Sequence, residues 1–162
     1  MKKDTIPKLI ILTSAISLLS VGIISAQEVD IFNVPPAISI CLKKEPSLSL
    51  RGDINPFYIT GDFDGDSRLD YAILVRETAA QKRGILICQS GVSHPLVIGA
   101  GKNFASQDDL RFDAWYLITR KQASRIISKP LKGDALFLQI KETANGIAYW
   151  DGKGFRWKQM AD

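Results

Sequence analysis

The chain has 162 residues, 46% of them hydrophobic and 23% charged, with a formal net charge of +4. This length supports one domain with one modest core, and a charge so small and mixed argues against a nucleic-acid binder. Two cysteines without a Cys-x-x-Cys spacing, and a single histidine, speak against a redox dithiol and against a zinc cluster.

Lys2, Lys3 and Lys8, interrupted by Asp4, lead into a mostly apolar run over residues 9–24, and Ile24-Ser25-Ala26 ends on two small residues. This pattern predicts a secretory signal peptide over residues 1–26, cleaved after Ala26. A retained membrane anchor is the alternative, but the run is shorter than the roughly 20 residues of a spanning helix and carries several Ser and Thr. Cleavage removes Lys2, Lys3, Asp4 and Lys8, leaves 136 residues and lowers the net charge to +2. The expected location is secreted or periplasmic, with no stable membrane insertion after cleavage.

Residues 27–56 are expected to form an irregular N-terminal segment, because Pro35, Pro36, Pro46 and Pro56 interrupt them. Within it, Ile38, Ile40 and Leu42 alternate around Cys41 as a short strand would. In an oxidising compartment Cys41 and Cys88 are candidates for a disulfide, whose loop-closure contribution is about 4 kcal/mol. Two free or intermolecular thiols are the alternative.

Residues 57–162 carry a single β domain in this reading. Runs of β-branched and aromatic residues between turn signals predict strands at 57–60, 71–75, 84–88, 94–98, 115–119 and 134–140. Trp115 shares a strand face with Leu117 and is a core candidate. Residues 120–128 are the best short helix. Residues 105–111 are a candidate helical turn, with Asp108 and Asp109 placed to meet its unpaired N–H groups. The chain ends in a hairpin, 146–150 and 155–157 flanking Asp151-Gly152-Lys153-Gly154. No window carries a long amphipathic helix. The expected fold class is therefore mainly β, a small antiparallel domain with an inserted acidic loop and little helix.

That loop carries the clearest chemistry. Asp62, Asp64, Asp66 and Asp70 stand at positions 1, 3, 5 and 9 of a loop, with Gly65 between the second and third. Calcium takes six to eight oxygen ligands at about 2.4 Å, and carboxylates two residues apart in a tight loop converge on one point. The Arg68 carbonyl at position 7 is a further candidate oxygen. Four clustered carboxylates repel one another unless a cation sits among them. Arg68 alone does not neutralise four, and its guanidinium is expected to point outward. The alternatives are another divalent ion, or a run of Asx-turns in open solvent. A helix-loop-helix site is excluded, since position 6 is Ser67 rather than glycine and position 12 is Ile73 rather than glutamate. Leu69, Tyr71 and Ile73 alternate with Asp70, Ala72 and Leu74, so a strand follows.

The stretch Gly61-Asp62-Phe63-Asp64-Gly65-Asp66-Ser67-Arg68-Leu69-Asp70-Tyr71 resembles the calcium loop of FG-GAP/VCBS-type repeats, which build integrin-like propeller blades. The resemblance covers about 15 residues of the 162. It implies calcium as the cofactor, held between strands by Asp62, Asp64, Asp66, Asp70 and the Arg68 backbone oxygen. There is no second copy, and one blade cannot close a propeller. The chain as a whole resembles small secreted bacterial proteins, which implies a location and no activity.

An enzyme is the less favoured reading, and no residue is assigned as catalytic. Glycoside hydrolysis requires a carboxyl of raised pKa, whereas acids committed to an ion are held low. Ser90 and Ser93 lack a Gly-x-Ser-x-Gly elbow, and His94 reads as a surface histidine. A small calcium-dependent extracytoplasmic hydrolase remains the alternative, and a pocket joining His94 or Asp113 to the acidic loop would favour it. Tyr149, Trp150, Phe155 and Trp157, flanked by Lys153, Arg156 and Lys158, are a candidate surface for a protein or carbohydrate partner. The alternative is that these rings pack between strands. The functional expectation is a secreted calcium-binding β domain with a binding or scaffolding role.

Overall fold

A computed structural model describes residues 33–140 and 144–160. The expected signal peptide lies outside the described residues. Among them are nine strands in two antiparallel sheets and two short helices, so the fold is mainly β.

The first sheet holds β1 (Leu48–Leu50), β2 (Tyr58–Gly61), β3 (Asp70–Glu77), β4 (Arg83–Cys88) and β5 (Leu96–Gly99). Its order is β1-β3-β4-β5, and β2 shares the β1 edge of β3. There β1 runs along 75–77 and β2 along 70–73. The second sheet is a meander of β6 (Ala114–Ile118), β7 (Ala135–Ile140), β8 (Ala144–Trp150) and β9 (Phe155–Gln159).

Strand β3 shows why the sheets pack as they do. Its central run Ala72-Ile73-Leu74-Val75 is apolar on both faces, as a strand covered on both sides requires. Ala72 and Leu74, with their partners Ile87 and Ile85, join Leu136, Leu138, Ala148 and Phe155 of the second sheet in the main core. Ile73 and Val75, with Leu86, face the other way, onto Ile38, Cys41 and Leu42. A one-residue slip of the β3–β4 register would exchange these two sets.

The outer face is covered by α1 (Pro36–Leu42), not by a strand. Proline in the first turn costs this helix no hydrogen bond. Ile38, Cys41 and Leu42 fall at i, i+3 and i+4 and are buried, while Ile40 is 60% exposed. The expected alternation thus gives way to the helical period. A disulfide joins Cys41 to Cys88 across 6.1 Å between Cα atoms and fixes α1 to the end of β4. The segment expected to be irregular therefore contains a helix, a strand and one end of a covalent tie.

The second sheet carries α2 (Arg120–Ile127) on its outer face, where Ala123 packs with Ile118, Ala135 and Ile147. Its start is a capping box: Gln122 N donates to Thr119 Oγ1 at 3.4 Å, and Thr119 N donates to Gln122 Oε1 at 3.1 Å. Residues 105–111 form no helix. Ala105 (φ 53°) and Ser106 (φ 66°) are both left-handed, in a tight turn closed by the Phe104–Gln107 bridge. That backbone excludes a helix start, so Asp108 and Asp109 do not cap one. They pair instead with Lys82 and Arg83 beside β4. Among the described residues no helix is long and apolar enough to cross a membrane.

Candidate metal centre and the cleft beside it

The acidic loop joins β2 to β3, where Gly61 pairs with Asp70. Its backbone shape follows from its own carboxylates. Asp62 accepts from Gly65 N at 2.8 Å and from Ser67 N at 3.1 Å. Asp64 accepts from Asp66 N at 3.1 Å, and Asp66 from Arg68 N at 2.8 Å. The result is a series of Asx-turns, the reason aspartate suits such a path. Phe63 is the loop's apolar anchor, fully buried with its ring 6.5 Å from that of Phe155 in the inter-sheet core.

Asp70 begins β3 and is fully buried. Its two oxygens accept from Phe63 N at 2.9 Å and Ser90 N at 2.8 Å. Burial pushes its carboxyl above the ordinary range, and the nearby Asp64 and Asp66 charges add to this against the pull of the two N–H donors. One carboxylate oxygen from each of Asp62, Asp64 and Asp70 lies within 4.8 Å of the others. That spacing is about twice a calcium–oxygen distance of about 2.4 Å, so one ion can touch all three. The hydrogen bonds leave lone pairs free, since each carboxylate oxygen carries two. The residues present therefore fit a hard divalent cation.

Asp66 stands apart from this triad. Its carboxylate is taken by Arg68, whose Nε donates at 2.6 Å and whose Nη2 also pairs with it. The Arg68 hydrogen bond, first among the causes, holds Asp66 below the ordinary carboxylate range. The Arg68 guanidinium thus pairs with Asp66 on the exposed side of the loop, its side chain 59% exposed.

Two further residues clamp the loop to the second sheet. Asp134 accepts from Asp62 N at 3.2 Å and from Arg120 N at 2.9 Å, and its own N donates to the Asp62 carbonyl at 2.6 Å. A Cβ on Gly133 would strike the Phe63 carbonyl, and one on Gly65 (φ +83°) would strike the Lys132 backbone. Both glycines are thus required by close approach of the two connections. In the sequence, Gly133-Asp134 reads only as a turn before a strand. The one available hint is that an aspartate also precedes the apolar run of β3.

Beside the loop lies an open cleft of about 500 Å³, lined by Asp64 and Asp66, by Gln89 and His94 from the β4–β5 connection, and by Lys132 and Trp150. His94 and the acidic loop therefore share one cleft, while Asp113 is not among its lining residues. The aromatic hairpin does not form one surface. Trp150, Phe155 and Trp157 pack on the inter-sheet core, and Tyr149 turns to the opposite face, where Lys129 Nζ lies 5.6 Å from its ring centre. Comparison with family models, curated proteins and solved structures finds no match to this chain.

Proposed function

We propose that this chain is a secreted or periplasmic calcium-binding β domain with a binding or scaffolding role, its partner a protein or a carbohydrate. The observation that carries the metal reading is the convergence of Asp62, Asp64 and Asp70 on one point, with Asp70 fully buried. A cation there offsets both the mutual repulsion and the burial of a carboxylate. Calcium is favoured over magnesium because a loop built of turns suits its flexible coordination, whereas magnesium demands near-ideal octahedral geometry. The likeness to the FG-GAP/VCBS-type loop supports the same ion, and by that likeness Asp66 and the Arg68 carbonyl complete the shell. The Cys41–Cys88 disulfide and the signal-peptide pattern support the location.

A ligand that binds only the folded chain stabilises it by about 2.7 kcal/mol at one hundred times its Kd. Calcium should therefore raise the melting temperature of the metal-stripped mature protein, and equal magnesium should not. No shift with calcium would contradict the reading. Mass spectrometry of the exported chain should place its N-terminus at Gln27.

A small calcium-dependent hydrolase is the second reading, favoured by His94 lining the same cleft as Asp64 and Asp66. Chromogenic phosphodiester and ester substrates test it. Turnover lost both on calcium removal and in His94→Ala would establish it.

A further inference from the structure

We propose that the small pocket between β9 and the connection from β5 to β6 binds an aliphatic group of valine or leucine size that carries a carboxylate, with the carboxylate on Arg111. Such a group is either a free short-chain acid or the C-terminal residue of a polypeptide. The pocket shares no lining residue with the cleft or with the acidic loop, so the proposal does not rest on the metal reading.

The pocket has a volume of about 80 Å³. An apolar cavity of about 150 Å³ accepts a benzene ring, so this one suits about three or four carbon atoms, the branched end of an aliphatic chain. Its walls are Phe104, Leu110, Phe112 and Leu138, each 3–8% exposed, and the half-buried Trp157. Ring contacts hold these walls in place. Phe104 meets Trp157 edge-on at 6.2 Å, and Phe112 lies 6.1 Å from the Trp115 ring, with the Arg51 guanidinium 5.5 Å from its centre. Trp157 Nε1 donates to Gln159 Oε1 at 3.0 Å. A preformed apolar hollow has little freedom to lose on binding. The rim supplies an independent observation. Ala105 (φ 53°) and Ser106 (φ 66°) are consecutive non-glycine residues in the left-handed region, in the turn that sets Phe104 opposite Gln107. Backbone of this kind is costly and gathers at ligand sites.

The mouth selects the charge. Its exposed residues are Ala105, Gln107, Arg111 and Gln159, and Arg111 is the one charged residue among the described residues that line the pocket. Arg111 already has a partner: its Nε donates to Asp109 Oδ2 at 2.9 Å. The same carboxylate also takes Arg83, through Nε at 2.9 Å and Nη2 at 2.8 Å. Asp108 is paired with Lys82. Three cations therefore meet two carboxylates in this cluster, and one positive charge is left over. It falls to Arg111, whose side chain is 75% exposed against 29% for Arg83. The contact with Asp109 does not use the Arg111 Nη groups, which offer a carboxylate two parallel N–H donors. A neutral ligand of the same shape gains nothing from this surplus, and a cation is repelled by it.

The test uses the mature, disulfide-intact protein, isotope-labelled, and follows amide and indole N–H shifts by NMR, which detects weak binding. The probes are isovalerate, its amide isovaleramide, a peptide with a C-terminal leucine as the free acid, the same peptide amidated, and phenylacetate. Isovalerate, the free-acid peptide or both should saturably shift the Trp157 indole N–H and the amides of 104–112. Binding of isovalerate assigns the free acid, and binding of the peptide alone assigns the chain end. The two amides, and phenylacetate with its larger ring, should each bind weaker by about tenfold or more. Arg111→Gln should weaken the carboxylates by about the same factor, and Arg111→Lys should recover part of the loss. Arg111 is exposed, so both variants should keep the shift pattern of the folded protein. No saturable shift from either carboxylate overturns the proposal. So do amides or phenylacetate that bind as tightly, binding that Arg111→Gln leaves intact, and shifts confined to other faces. The result should be the same after calcium is chelated, which separates it from any failure of the metal reading.

Discussion

The β2–β3 and β6–β7 connections occupy corresponding places in the two sheets, and they end alike. Asp70 and Asp134 each stand at the entrance to the next strand, and each carboxylate accepts two backbone N–H groups. Between those ends they diverge. The first connection has no helix and satisfies its own N–H groups with Asp62, Asp64 and Asp66. The second forms α2, caps it with Thr119 and Gln122, and carries Arg120, Lys121, Arg125, Lys129 and Lys132. The difference teaches that an aspartate at a strand entrance is a structural tie in both sheets. Only where Asp62 and Asp64 converge on it does that tie become a candidate metal centre.

The comparison can be broken most forcefully at the covalent tie, which the first sheet has and the second lacks among the described residues. Replacing Cys41 and Cys88 together by serine should lower stability by about 4 kcal/mol in urea unfolding. A loss under 1 kcal/mol would mean that packing alone holds α1 on β4.

The two aspartates give the sharper contrast. Asp70→Ala strands one buried N–H donor, that of Phe63, and one half-buried, that of Ser90, at about 1–3 kcal/mol for the buried one by the ordinary cost of such a loss. In metal-free protein it should therefore cost more than Asp134→Ala, whose partners are half-buried or exposed. Equal losses in the two variants would erase the distinction drawn here. A smaller effect belongs to the helix cap, where Thr119→Ala should cost about 1 kcal/mol. Far-ultraviolet dichroism during thermal unfolding measures it.

The smallest effect concerns the link between the sheets. Asp109 accepts from Arg83 Nε at 2.9 Å and Nη2 at 2.8 Å. The Arg83 hydrogen bond, its largest influence, holds its carboxyl well below the ordinary carboxylate range. A folded-state pKa below the unfolded one means stability present above about pH 4 and lost as pH falls through the folded value. Asp109→Asn should flatten that acid limb of the stability curve. An unchanged acid limb would mean that the pair contributes nothing measurable, as many exposed pairs do.

Much of this was legible in the sequence, for identifiable reasons. The runs at 71–75, 84–88 and 134–140 are β-branched or apolar over lengths that only strands fit, and the terminal hairpin has its turn residues in place. The Asp62–Asp64–Asp70 spacing pointed to one convergence point because the geometry is local. Helix α1 was hidden because Ile38, Ile40 and Leu42 satisfy an alternating pattern, and Cys41 breaks it only once the helical period is considered. The pairing of Asp66 with Arg68, two residues away, was not legible, because spacing alone does not reveal which way a long cationic side chain folds. Asp134 was invisible because its partner Asp62 is 72 residues distant in the chain. Gln89 was equally so, since only the packing of both sheets creates the cleft it lines.

The central claim is that the carboxylates of Asp62, Asp64 and Asp70 form a cation site, whereas Asp134 is only a tie. Calcium titration calorimetry on the metal-stripped mature protein tests it most directly, with Asp64→Asn and Asp134→Asn beside it. The account predicts one saturable site, lost in Asp64→Asn and retained in Asp134→Asn. No heat from folded protein, or an undiminished site in Asp64→Asn, would contradict it.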